Sequence, residues 1–183
     1  MGDRVVKGLL FNELIEFAER RLGFEVAARA LEGVRPYSAV ESYPSTEFVG
    51  LVEAFAAVSS QLAEPLLRAF GEHLFARFTT LYPIFFTDAD SAFGFLAGLD
   101  TRVHADVKTL YPDAEFPRFE PVEDGPGRLI LDYRSRLPLA SLAEGLLRGC
   151  VAHFGESIEV HRERVEGLGK TAAHFVLTRT SRA

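Results

Sequence analysis

Residues 118–135 read RFEPVEDGPGRLILDYRS. Two apolar-patterned runs, RFEPVE and GRLILDYRS, flank the Gly/Pro-rich turn DGPG, the signature of a β-hairpin. The pattern then changes period. Leu139, Leu142, Ala143, Leu146, Leu147, Cys150, Val151 and Phe154 recur at helical spacing. This is the cleanest amphipathic helix in the chain, and it ends near Gly155. Two more strand-like runs follow, SIEVHRERV and TAAHFVLTRTS, joined at EGLGK, with the period-two alternation of strands. The C-terminal third therefore reads ββαββ, an antiparallel sheet of about four strands with one helix threaded through its sequence.

Upstream of the hairpin the chain is helical. Leu9, Leu10, Leu14, Phe17, Ala18 and Leu22 form one stripe of a helix over 8–22, closed by Gly23. A short helix over 25–32 precedes the turn-rich loop GVRPYSAVESYPS. Ser45 or Thr46 can cap a helix across 47–59, with Glu47 in its first turn. Pro65 opens PLLRAFGEHLFARFTTLY. The stretch SAFGFLAGLDTRVHADVKTLY follows as a further helix capped by Asp90 or Ser91. The expected class is α+β: an N-terminal helical part packed on a C-terminal ββαββ part, one domain over 1–183 with no repeat and no long linker. A crevice between the two parts is the natural place for a ligand.

Composition narrows the function. A formal charge of −6, with basic groups interleaved with acids, argues against a nucleic-acid footprint. One cysteine allows no disulfide within the chain and no multi-thiolate zinc site, and it fits a reduced, cytoplasmic setting. No run of 18 apolar residues predicts a membrane span. The N-terminus lacks a secretion pattern, and Val6 stands where a myristoylation motif needs Ser or Thr. There is no HExxH, no GxSxG and no phosphate loop, since GLGK lacks the upstream glycine. Cys150 lies on an apolar helix face and reads as a core residue. An enzyme is not expected. Sixteen Phe and no Trp suit either a Phe-rich core or an apolar cavity for a small molecule. Of five histidines, His153, His161 and His174 read as surface or boundary residues and His73 as undecided. His104 lies among Leu99, Val103 and Val107, as either a satisfied core residue or a ligand.

The segment LDTRVHADVKTLYPDAEFPRFE resembles the proximal stretch of the haem nitric-oxide/oxygen binding family (H-NOX, HNOB), the sensor domain of soluble guanylate cyclases and of stand-alone bacterial gas sensors. VKGLLFNELIEFAERRLG resembles its opening helix, ESYPSTEFVGLVEAFAAVSSQLAEPLLRAFGEHLF resembles its middle helices, and the order helices-then-ββαββ also agrees. The resemblance implies a haem b pocket between the two parts, with residues 1–60 as the distal helical part and 61–183 as the proximal helices and sheet. It implies that His104 ligates iron and that Pro117, thirteen positions on, presses on the porphyrin. The family's Tyr-x-Ser-x-Arg grip on the haem propionates maps to Tyr133 and Ser135, but here Arg136 arrives one residue early and Leu137 takes the expected place. On a continuing strand, Tyr133, Ser135 and residue 137 would share a face and Arg136 would turn away. A bulge or strand end could bring Arg136 back, Arg134 could substitute, or the grip could be lost. Leu14, Leu74 and Leu142 fall by resemblance on the distal wall. Oxygen-holding members carry a tyrosine where Leu142 stands, so the resemblance implies binding of NO and CO with O2 disfavoured. It also implies signalling to a histidine kinase or cyclic-di-nucleotide enzyme in trans, driven by weakening of the iron–histidine bond. The competing expectation is a haem-free relative acting as an apolar-ligand or protein-interaction module.

Overall fold

The computed structural model describes residues 4–112, 114–123, 125 and 127–180. Strand β1 (Val5–Lys7) leads into helix α1 (Gly8–Leu22), whose Phe11, Leu14, Phe17 and Ala18 are buried along one stripe. Gly23, at φ +87°, turns the chain into α2 (Phe24–Ala30). Strand β2 (Ser42–Pro44) pairs antiparallel with β1, Val6 opposite Tyr43. Helix α3 (Ser45–Val58) starts two residues earlier than its periodicity suggests, directly after Pro44, and no side chain caps it. Helix α4 (Ala63–Leu81) is followed by a 3-10 turn over Pro83–Phe86.

The stretch read as one helix over 91–111 is three pieces. Helix α5 (Ala92–Ala97) is capped by Ser91, whose side chain accepts from the Gly94 N–H at 3.1 Å. A π-helical turn over Leu99–His104 and then α6 (Ala105–Leu110) complete it. Strands β3 (Arg118–Glu123) and β4 (Arg128–Arg134) form the hairpin, with Phe119 opposite Tyr133; Asp124 and Pro126 of the predicted DGPG turn lie outside the described residues. Helix α7 (Ala140–Phe154) ends on Gly155, which adopts the left-handed conformation that suits glycine. Strands β5 (Ile158–Arg164) and β6 (Ala172–Arg179) close the fold, and the antiparallel order is β3-β4-β6-β5.

Two cores result. The first joins Phe11, Leu14, Phe48, Phe55, Phe70 and Leu74 of the helices to Leu142 of α7. The second lies under the sheet, where Leu129, Leu131 and Tyr133 meet Phe175, Leu177 and Cys150. The Phe-rich composition is therefore used in packing: Phe11, Phe48, Phe55, Phe70 and Phe175 are fully buried, each contributing about 1.5–3 kcal/mol. Helices α4 and α7 cross with their backbones touching, because glycine stands at the crossing. A Cβ at Gly145 would lie 2.0 Å from the Arg68 carbonyl oxygen, and one at Gly71 would lie 2.4 Å from that of Leu142. Beside this crossing the buried Glu144 carboxylate receives Arg68 at 2.9 Å, Arg148 at 3.1 Å and Arg162 at 3.5 Å, tying α4 and α7 to β5.

Candidate functional site

His104 sits at the last residue of the π turn. Such a turn inserts one residue into helical geometry and marks functional sites more often than ordinary helix does. Its Nδ1 lies 2.8 Å from Asp100 Oδ1, one helical turn back. The other Asp100 oxygen accepts the backbone N–H of Phe119 at 2.7 Å. The imidazole lies face to face with Phe116, ring centroids 4.8 Å apart at 25°. From there a row of rings runs inward: Phe119 to Tyr133 at 5.1 Å, then Tyr133 to Phe175 at 5.6 Å. The contact to Asp100 engages Nδ1, and no hydrogen bond of Nε2 is seen among the described residues.

Pro117, half-buried, stands directly before β3 and beside Phe116. Tyr133 is fully buried, and burial pushes its phenol up to about 12, partly offset by the Ser135 side chain, so it stays protonated. Strand β4 ends at Arg134, so the alternation of faces stops before Arg136. Ser135 then makes the corner: its N–H donates to the Thr171 carbonyl at 2.8 Å and its hydroxyl accepts from the Leu137 N–H at 3.0 Å. Arg136 comes off that corner with its guanidinium exposed and 3.6 Å from Glu115, while its carbonyl accepts from Arg4. Arg134, on the face opposite Tyr133, is taken up by Asp132 at 3.2 Å. Phe119 links two of the predicted residues, with His104 at 6.2 Å and Tyr133 at 5.1 Å between ring centroids; Ser135 follows Tyr133 just past the end of β4, and Arg136 is exposed. Leu14, Leu74 and Leu142 lie together in the first core, all buried, whereas Tyr133 belongs to the second.

Asp100, Phe116 and Phe119 were not singled out from the sequence. Asp100 precedes His104 by four residues, a helical contact spacing that flags it in retrospect. Cys150 is buried and its thiol is pushed up by burial and by Glu156, as suits an inert core residue. Two surface clefts, of about 310 Å³ between α4 and α7 and about 480 Å³ between α7 and β5, are not lined by any of these residues.

The donor set suits a haem. A histidine with one ring nitrogen fixed by a carboxylate presents the other as a metal ligand. The row of rings beside His104 supplies apolar surface of the kind such a macrocycle needs, whereas Leu14, Leu74 and Leu142 are packed into the other core. The family model for haem-NO-binding domains matches residues 7–162. The chain belongs to the haem-NO-binding (H-NOX) family. This H-NOX chain is 33% identical to the H-NOX of Shewanella woodyi, solved bound to IWP-051 in the Fe(II)CO state, over 97% of this chain and 96% of that one, with a TM-score of 0.83. It is 25% identical to the A71G mutant of the K. algicida H-NOX in its Fe(II) unliganded form, over 96% and 97%, with a TM-score of 0.89. The S. oneidensis H-NOX in the Fe(II)NO state, 23% identical over 96% and 100%, shares the fold at a TM-score of 0.87. No curated protein sequence matches the chain. Among the described residues, no helix of this H-NOX domain is long and apolar enough to cross a membrane.

Proposed function

We propose that this H-NOX domain is a haem b gas sensor for nitric oxide and carbon monoxide, with His104 as the iron ligand. The observation that carries the reading is the His104 imidazole held by Asp100 through Nδ1, with Nε2 left free. Haem, when bound, supplies a ferrous iron whose open face takes a diatomic gas. The protein's residues do the rest. His104 would hold the iron through Nε2, and Pro117, in the loop before β3, would lie against the macrocycle. Tyr133, Ser135 and Arg136 would receive the propionates; for Arg136 this would mean exchanging the Glu115 carboxylate for another carboxylate, which its planar fork suits. Leu14, Leu74 and Leu142 exclude water from the gas-binding side and offer no hydrogen-bond donor, which disfavours O2 while leaving NO and CO able to bind. Residues 1–60 form the distal part and 61–183 the proximal part of one sensor domain. The signal passes in trans to a cytoplasmic partner, a histidine kinase or a cyclic-di-nucleotide enzyme, and the domain itself is not an enzyme.

A haem-free interaction module is the second reading. It is favoured by the Arg136–Glu115 pair and by the close packing of the three leucines. Purification from haem-supplemented cells decides between them. A Soret band that shifts with NO and CO under reduction, and is unmoved by O2, supports the sensor. A colourless protein that refuses added haem supports the module.

A further inference from the structure

We infer that Asp100 is the positioning residue of the site: it sets which nitrogen of His104 is free to bind metal, and it ties that ligand mechanically to the sheet. The inference rests on the proposed haem ligation for its functional meaning but not for its geometry. The π turn over Leu99–His104 brings the carboxylate and the imidazole of one segment together, at 2.8 Å. A carboxylate accepts and cannot donate, so the neutral imidazole beside it carries its proton on Nδ1 and its lone pair on Nε2. The second carboxylate oxygen is engaged with the Phe119 N–H at 2.7 Å, so Asp100 cannot swing away without leaving a backbone donor unpaired. Phe116 closes one face of the ring and stops it turning about its own bond. Three restraints thus fix the ring, and two of them come from the segment Phe116–Phe119 that contains Pro117.

Two consequences follow. A carboxylate on the far nitrogen raises the basicity of a ligating histidine and strengthens its bond to the metal. Any displacement of His104 is also passed through Asp100 to Phe119 in β3, which is an edge strand of the sheet. Asp100 therefore sets how firmly the ligand holds and where its movement is felt.

The test uses Asp100→Asn and Asp100→Ala in the full chain, with circular dichroism to establish that each is folded. In the haem-free protein, long-range ¹H–¹⁵N correlation spectra report the His104 tautomer, and amide exchange reports Phe119. Wild type should show the proton on Nδ1 and a protected Phe119 amide. Asp100→Ala should show mixed tautomers and faster exchange at Phe119. In the haem-loaded ferrous protein, the iron–histidine stretching band should fall in frequency in Asp100→Asn, and haem should be lost about 10–100-fold faster. A wild-type His104 protonated on Nε2, or tautomer and exchange unchanged in Asp100→Ala, overturns the inference whether or not haem binds. Should the haem-free spectra behave as expected and the protein refuse haem, the positioning stands and the proposed cofactor falls.

Discussion

Replacing Gly145 by alanine tests whether backbone contact between α4 and α7 sets the geometry around Leu74 and Leu142. The added Cβ would lie 2.0 Å from the Arg68 carbonyl oxygen and 2.9 Å from the Gly71 Cα. An ordinary carbon–oxygen approach is about 3.3–3.6 Å, so roughly 1.3 Å of separation is missing. The obstructing atoms are backbone, and no side-chain rotation relieves them. Overpacking costs about 1–3 kcal/mol, and a case without relief sits at the top of that range. Alanine returns about 1 kcal/mol of helix propensity. The net loss is about 2 kcal/mol, equivalent to a fall of roughly 4–8 °C in Tm for a chain of this size. Gly50, on the exposed face of α3, is the control, because nothing lies within 4 Å of a Cβ there. Gly50→Ala should gain about 0.5–1 kcal/mol. The chain has no tryptophan, so urea and thermal unfolding are best followed by far-ultraviolet circular dichroism. Leu74 and Leu142 each lie three residues from Gly71 and Gly145, so a folded Gly145→Ala variant also forces these two leucines apart. Gly145→Ala shifting Tm in the same direction as Gly50→Ala would refute the reasoning.

Three further outcomes are expected. Glu144→Gln removes a buried carboxylate shared by Arg68, Arg148 and Arg162, and should cost about 2–4 kcal/mol by urea unfolding, less than a wholly buried pair because Arg148 is 41% exposed. His73, in contact with the Glu13–Arg77 pair between α1 and α4, has its imidazole held below the ordinary value of 6.5, chiefly by burial. The unfolded chain therefore takes up a proton there before the folded one does. Stability should fall as pH drops below 6.5 and through the folded value, and His73→Gln should flatten that part of the stability–pH curve. Arg136→Ala should cost under about 1 kcal/mol of stability, because the pair with Glu115 is exposed, yet should speed haem loss in a hemin-transfer assay.

The hairpin and α7 were legible in the sequence because each places its apolar residues at a single, uninterrupted period. Leu129, Leu131 and Tyr133 alternate, and Leu142 to Val151 wind, as their burial shows. The π turn was not legible. One extra residue leaves Leu99 and Val103 packed against the second core, so the apolar stripe reads as continuous helix. The β1–β2 pair was missed because three-residue strands carry too little pattern. At the site, His104 stood out by its neighbours and its spacing to Pro117. The fate of Arg136 did not, since it depends on β4 stopping at Arg134 and on the corner made by Ser135. Asp100 was hidden for a related reason: its second partner, Phe119, is nineteen residues away and is brought near only by folding.

The central claim is a bond from one imidazole to iron, and His104→Gly reads it directly. In the reduced, haem-loaded protein the substitution should remove the iron–histidine stretching band and move the Soret maximum, and added imidazole should restore both. A ferrous spectrum identical to wild type, without imidazole, would contradict the account.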